Sequence, residues 1–221
     1  MSPRTLLKNR VLPNYSRGDE IANMVTHIIG AVLGIVVTVL AVLRAKDVWG
    51  IVGGAVFGGT MIVLYTVSAV YHGLHPCMGK KVMQVIDHCT IYFLIVGSYT
   101  PVLLSGIRPA APVAAWTIFG VEWGLTAVAC VFTAIDHKKY RVMSMLCYLG
   151  MGWAVVMAVK PLIEQTSWEC FAWLLAGGIS YTVGAVLYGV GKKWPIMHTV
   201  FHVLCVLGSA LQAHCILAYI L

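Results

Sequence analysis

Residues 21–43 read IANMVTHIIGAVLGIVVTVLAVL, 23 consecutive positions without an Asp, Glu, Lys or Arg. A helix rises about 1.5 Å per residue and needs roughly 20 apolar residues to cross a hydrocarbon core, so this stretch is long enough to span a bilayer. Asn23 and His27 stand four residues apart near its start and therefore share one helix face. The whole chain carries the same signature: of 221 residues, 60% are hydrophobic and 10% charged, with a mean hydropathy of +0.87. Those values lie outside the range of soluble globular domains.

Six further apolar runs follow, at approximately 49–71, 83–105, 113–135, 142–160, 170–190 and 196–219. Backbone groups in lipid must be satisfied within the segment, so each run is expected to be a helix. The reading is an all-α integral membrane protein, a bundle of seven transmembrane helices. The fifth run, closed by Lys160 and Pro161, is expected to be the shortest. The first run is preceded by a polar, basic stretch and is long enough to span, so it reads as its own targeting signal and not as a removed leader. Residues 1–20 form an N-terminal segment and 21–221 one seven-helix domain. The seven cysteines include no CxxC pair and scatter through apolar runs, which reads as reduced packing thiols.

Basic residues orient the bundle. Arg4, Lys8, Arg10, Arg17, Lys80, Lys81, Lys138, Lys139, Arg141, Lys192 and Lys193 fall on the side of the N-terminal segment. Only Arg44, Lys46, Arg108 and Lys160 fall on the other. The positive-inside rule then places the N-terminus in the cytoplasm and the C-terminus outside. The net charge of +7 belongs to these membrane boundaries and anionic lipid, and calls for no nucleic-acid partner.

On this topology His27, His72, His75, His88, His137, His198 and His202 share the cytoplasmic side, leaving His214 alone near the other leaflet. In PIMHTVFHV, residues 195–203, His198 and His202 stack one turn apart on one face. Cys205, Ser209 and Gln212 extend that face, and a polar stripe in lipid must point into the bundle. Ser68 stands one turn before His72 at the end of the second helix, and Asp87 opens the third at matching depth. The second, third and seventh helices can therefore aim His72, Asp87, His198 and His202 at one spot. Three imidazoles and a carboxylate suit Zn2+, which in catalytic sites takes three protein ligands and a water. Asp87 could hold or deprotonate that water or orient a histidine, and Ser68 could donate to a developing oxyanion.

Plainer readings stand beside these. Asp87 near a helix start could be a cap, and Asp19 with Glu20 reads as cap and first-turn acid. Glu20, Asn23 and His27 share a face that could only tie the first helix to its neighbours. His75, beside Pro76, reads as solvated, His214 as a packing residue, and His137 has no nameable partner. The glycines of GGAVFGG, residues 53–59, read as close helix contacts. GSYTP, residues 97–101, reads as a kink in the third helix whose freed backbone lines a cavity.

Taken together, Glu20-x-x-Asn23-x-x-x-His27, Ser68-x-x-x-His72 followed by Asp87, and His198-x-x-x-His202 resemble the three-part signature of the hemolysin III and progestin-and-adipoQ-receptor families. DHCTIYFLIVGSYTP, residues 87–101, resembles the bacterial branch, and the similarity covers nearly the whole chain. The resemblance implies a seven-helix bundle with an intracellular N-terminus in the inner (plasma) membrane. It also implies zinc at the positions of His72, His198 and His202, with the Asp87 position contacting the zinc water and Glu20, Asn23 and His27 as cofactor-binding residues. Relatives in the wider superfamily hydrolyse lipid amides, and bacterial members are linked to membrane lipid homeostasis, while the name reflects a lytic phenotype.

Two functions are thus expected to compete: a zinc hydrolase of a membrane lipid amide or ester, and a non-enzymatic sensor of lipid composition. A hemolysin-type pore is disfavoured, because only the seventh helix carries a long polar face. A zinc or proton transporter is disfavoured too, because the polar groups cluster at one depth.

Overall fold

The computed structural model describes residues 5–190, 194 and 196–221. Arg4, Lys192 and Lys193 of the charge asymmetry, and Pro195, lie outside the described residues. Seven helices are long and apolar enough to cross a membrane: α1 Arg17–Arg44, α2 Val48–Gly73, α3 Met78–Ile107, α4 Pro112–Asp136, α5 Arg141–Gln165, α6 Trp168–Gly189 and α7 Ile196–Ile220. No strand occurs among the described residues, and the chain is an all-α seven-helix membrane bundle.

The first two helices begin earlier than their apolar runs because polar side chains cap them. Ser16 Oγ accepts from the Asp19 N–H at 3.1 Å, and Asp19 Oδ2 accepts from the Ser16 N–H at 3.2 Å. This reciprocal capping box makes Ser16 the cap of α1 and Asp19 its third-position acid, correcting the expectation that Asp19 is the cap. Asp47 Oδ1 caps α2 by accepting from the Gly50 N–H at 2.8 Å.

Two expected boundaries change. α3 starts at Met78 behind Cys77, so Asp87 does not open the helix and is not its cap; it lies more than two turns inside. Lys80 and Lys81 made this segment look like loop, but Lys80 turns inward and is 3% exposed. α5 does not end at Lys160 and Pro161: it breaks after Gly152, passes through a 3-10 turn at Ala154–Ala158, and resumes as Val159–Gln165. Pro161 is tolerated because it sits in the first turn of the resumed helix, where an N–H lacks an intrahelical partner anyway. Tyr99 holds the break open, accepting from the Val155 N–H at 2.9 Å and donating to the Gly152 carbonyl at 2.8 Å.

α3 is the central helix, with 78% of its most apolar stretch buried against 17–44% for the others. α1, α2 and α3 pack side by side, α7 closes against α1 and α6, and α5 touches α6 sparsely. The GGAVFGG contact is real at Gly58, where an added methyl would overlap Thr38 of α1, whereas Gly59 faces open space. The kink expected at GSYTP is a change of helix type: α3 widens into a π-helix at Val102–Ile107, directly after Pro101. At the end of the bundle away from the N-terminal segment, Arg108 lies over the Trp49 ring at 4.6 Å and Trp116 packs edge-on to Trp49, an interfacial aromatic anchor.

Candidate metal centre

Among the described residues, His72, His198 and His202 are the group whose ligand atoms lie close enough to hold one metal ion, all within 4.8 Å of one another. All three are buried. α2 supplies His72 from its last turn, and α7 supplies the other two from its first turns. His198 Nε2 and His202 Nε2 face each other at 2.9 Å. His72 donates its Nδ1–H to Glu20 Oε2 at 2.6 Å, leaving Nε2 buried with no partner in the protein. Zinc–nitrogen bonds of about 2.0–2.1 Å in tetrahedral geometry separate ligand nitrogens by about 3.4 Å. Nitrogens spread over 2.9 to 4.8 Å could therefore hold one metal ion with bonds of about this length once the rings draw together.

The surroundings repeat this pattern of buried atoms without partners. Asn23 is fully buried with both amide ends unpaired, and both nitrogens of His27 are unpaired as well. The His27 ring lies 3.9 Å from that of His202 and edge-on to Tyr65 at 4.9 Å. An unpaired buried polar group costs on the order of 1–3 kcal/mol, so each of these atoms calls for a partner. The shared face of Glu20, Asn23 and His27 thus borders the centre from α1.

Asp87 and Ser68 complete the expected set, but beside the histidine group and not within it. The Asp87 side chain is 14% exposed and lies 3.8 Å from His88 Nδ1. Ser68 faces that carboxylate, although its buried hydroxyl makes no well-directed hydrogen bond. His88 donates Nδ1–H to the Gln84 carbonyl at 2.8 Å and turns its other nitrogen toward the Tyr188 hydroxyl at 3.5 Å.

These residues stand at one end of an apolar cavity of about 150 Å³, which His27, Ser68, Asp87, His198 and His202 line. Its walls include Leu94 and Ile95 of α3, Leu149 of α5 and Phe201 of α7. It reaches Gln212, where a second cavity of about 30 Å³ adjoins it. The α7 stripe faces inward as expected: Ser209 Oγ is shared by the hydroxyls of Tyr65 and Tyr181, each at 2.6 Å.

Two participants were not anticipated. Lys80 donates to Glu20 Oε1 at 2.6 Å and to the Leu74 carbonyl at 2.9 Å, so an ion pair backs the Glu20–His72 bond. Tyr15, just before α1, stacks on His198 with ring centroids 4.8 Å apart and planes 13° from parallel. Burial raises the Tyr15 phenol above its usual range, so the ring covering the cluster is neutral. The segment leading to it is tied down: the Thr5 N–H donates to Asp136 Oδ2 at 2.7 Å, Arg10 reaches the Ile135 carbonyl and His137 Nδ1 at 3.2 Å each, and Lys81 donates to the Lys8 carbonyl at 2.7 Å. His137 therefore does have a partner. His75 is exposed, as expected, and His214 packs edge-on to Trp173 at 4.5 Å.

The family model described as haemolysin-III related matches residues 15–213. The chain belongs to the haemolysin III family. A "Hemolysin-3" of Bacillus cereus is 36% identical over 206 residues, covering 92% of each chain. A "Hemolysin-3 homolog" of Bacillus subtilis is 37% identical, covering 91% of this chain and 94% of its own. The human "Monocyte to macrophage differentiation factor" is 26% identical over 91% of this chain and 84% of its own, which supports the wider progestin-and-adipoQ-receptor superfamily. This haemolysin III chain is accordingly a multi-pass membrane protein, and the family match spans Tyr15 together with every candidate site residue.

Proposed function

We propose that the protein is a zinc-dependent hydrolase of a membrane lipid amide or ester, working in lipid homeostasis in the inner (plasma) membrane with its N-terminus in the cytoplasm. One observation carries this reading: a three-histidine centre, a half-buried carboxylate and an unpaired buried hydroxyl meet at the head of an apolar cavity inside a membrane bundle.

His72, His198 and His202 would hold the zinc, which when bound supplies a Lewis acid and a water acidic enough to ionise near neutral pH. Asp87 takes the proton of the attacking water and returns it to the leaving amine or alcohol. Ser68 donates its hydroxyl hydrogen to the lipid carbonyl oxygen as that oxygen gains charge. Glu20 fixes the tautomer of His72, while Asn23 and His27 brace the centre from α1. A cavity of ~150 Å³ takes a group the size of a benzene ring, so about six carbons of the acyl chain lie inside. The remainder of the chain stays in the bilayer, entering where α5 and α6 touch least.

A second reading, a non-enzymatic lipid sensor, is favoured by the way the centre clasps the ends of α1, α2 and α7 together. One experiment separates the two. Purified protein in lipid nanodiscs is expected to contain zinc, to lose it on His202→Ala, and to hydrolyse a member of a panel of lipid amides and esters. Asp87→Asn should keep the zinc and abolish turnover. Zinc retained with no hydrolysis across the panel, and a cellular lipid response that survives Asp87→Asn, would establish the sensor instead.

A further inference from the structure

Cys170 and Cys215 meet where α6 begins and α7 ends. Their sulfurs are 3.2 Å apart, and the Cys215 thiol also points at the Cys170 carbonyl at 3.2 Å. Both residues are completely buried, and 45 positions of chain separate them. The Cys170 backbone is fixed by its N–H donating to Ser167 Oγ at 3.2 Å. Just below the pair, Gly177 lies against the Gln212 side chain and Gly208 against the Tyr181 ring, so the two helices pack closely there. A disulfide needs its sulfurs about 2.05 Å apart, so the two must close by roughly 1 Å to bond.

The pair lies at the end of the bundle opposite the histidine centre, which the distribution of basic residues places outside the cytoplasm. Disulfides form and persist in that kind of compartment. We propose that Cys170 and Cys215 form a disulfide joining the outer ends of α6 and α7. The two thiols give up two protons and two electrons. The oxidant is the disulfide of an extracytoplasmic thiol oxidase, whose S–S bond breaks to two thiols by way of a mixed disulfide with one member of the pair. Because both sulfurs are buried in the finished bundle, exchange occurs while α7, the last helix, is packing onto α6. The bond pins the helix that carries His198 and His202 at its other end.

Cys89 and Cys130 form an internal contrast. They also face each other, each thiol directed at the other's carbonyl at 3.7 and 3.5 Å, but they lie in the half of the bundle nearer the cytoplasm. That pair stays reduced.

The test uses full-length protein made in a host with an extracytoplasmic thiol oxidase. Membranes are quenched in acid, dissolved in SDS and alkylated with N-ethylmaleimide, then reduced and alkylated with its deuterated form. Mass spectrometry is expected to find the deuterated label on Cys170 and Cys215 and the first label on the other five of the seven cysteines. Cys170→Ser is expected to move Cys215 to the first label. The first label at all seven positions overturns the proposal, and so does a deuterated label on Cys89 and Cys130 as well, because oxidation would then ignore compartment. Zinc content and lipid hydrolysis play no part in this result.

Discussion

Glu20 Oε2 accepts the Nδ1–H of His72 at 2.6 Å, and this bond decides which nitrogen His72 presents to the cluster. The acid is held in turn by Lys80, whose side chain is 4% exposed, so the carboxylate has little freedom to rotate away. Partners of this kind behind a ligating histidine are worth about 10–100-fold in metal affinity. Glu20→Gln is therefore expected to weaken zinc binding by that factor in a chelator-competition titration. Lys80→Met should follow in the same direction, and Lys80→Arg should restore part of the loss. Unchanged affinity in Glu20→Gln would show that the bond does not orient a ligand.

Tyr15 lies over the centre as a neutral ring stacked on His198, at the end of a segment strapped to α3 and the α4–α5 turn. Such ring pairs contribute about 1 kcal/mol, which corresponds to roughly a fivefold change in an opening equilibrium. Stripping of zinc by a soluble chelator should be several-fold faster in Tyr15→Ala and near wild type in Tyr15→Phe. Equal stripping rates in all three proteins would remove Tyr15 from any covering role.

The helices were legible because a bilayer demands long apolar runs, and the histidine pair of α7 was legible because four residues make about one turn. His72 could be added by depth, whereas Asp87 was given its depth by a helix start that lies nine residues earlier, at Met78. The start of α3 was hidden for a physical reason: Lys80 reads as loop in one dimension, yet its charge is answered by Glu20, 60 residues earlier. The same holds for Tyr15, whose partner His198 lies at the far end of the chain. The break in α5 falls at Gly152, a weak helix former, but the hydroxyl of α3 that holds it is a pairing the α5 sequence does not show. Local periodicity carries element type, while the pairings that perfect a site are nonlocal and appear only after folding.

Packing of α1 on α2 gives a test with opposite signs at neighbouring positions. A methyl at Gly58 would come within 2.9 Å of the Thr38 Cα, a backbone atom that can retreat only if the helix moves. Overpacking of this kind costs about 1–3 kcal/mol. At Gly59 nothing lies within 4 Å, and replacing a helical glycine by alanine gains up to about 1 kcal/mol. Gly58→Ala is expected to lower, and Gly59→Ala to maintain or raise, the midpoint of thermal unfolding in detergent. Equal effects would mean that Gly58 does not set the α1–α2 spacing.

His137 makes the N-terminal strap sensitive to acid. Its Nδ1 accepts from Arg10, and burial first, then the nearby His88 and Arg10, lower its pKa to about 4 from an ordinary 6.5. A histidine with a depressed folded-state pKa leaves the unfolded or detached form binding more protons between those values, so stability rises with pH across that window. The docked strap is thus fully favoured above pH 6.5 and is progressively weakened as pH falls toward 4, by the share of the shift that Arg10 and burial under the strap supply, since His88 stays beside the ring when the strap leaves. Below that, both forms are protonated and the loss levels off. Hydrogen exchange of residues 5–16, corrected for intrinsic rates, is expected to show protection falling between pH 6.5 and 4 in the wild type. In His137→Gln, which cannot charge, the fall should be much smaller. A pH dependence that is the same in both proteins would place the acid-sensitive group elsewhere and leave Arg10 as a simple latch.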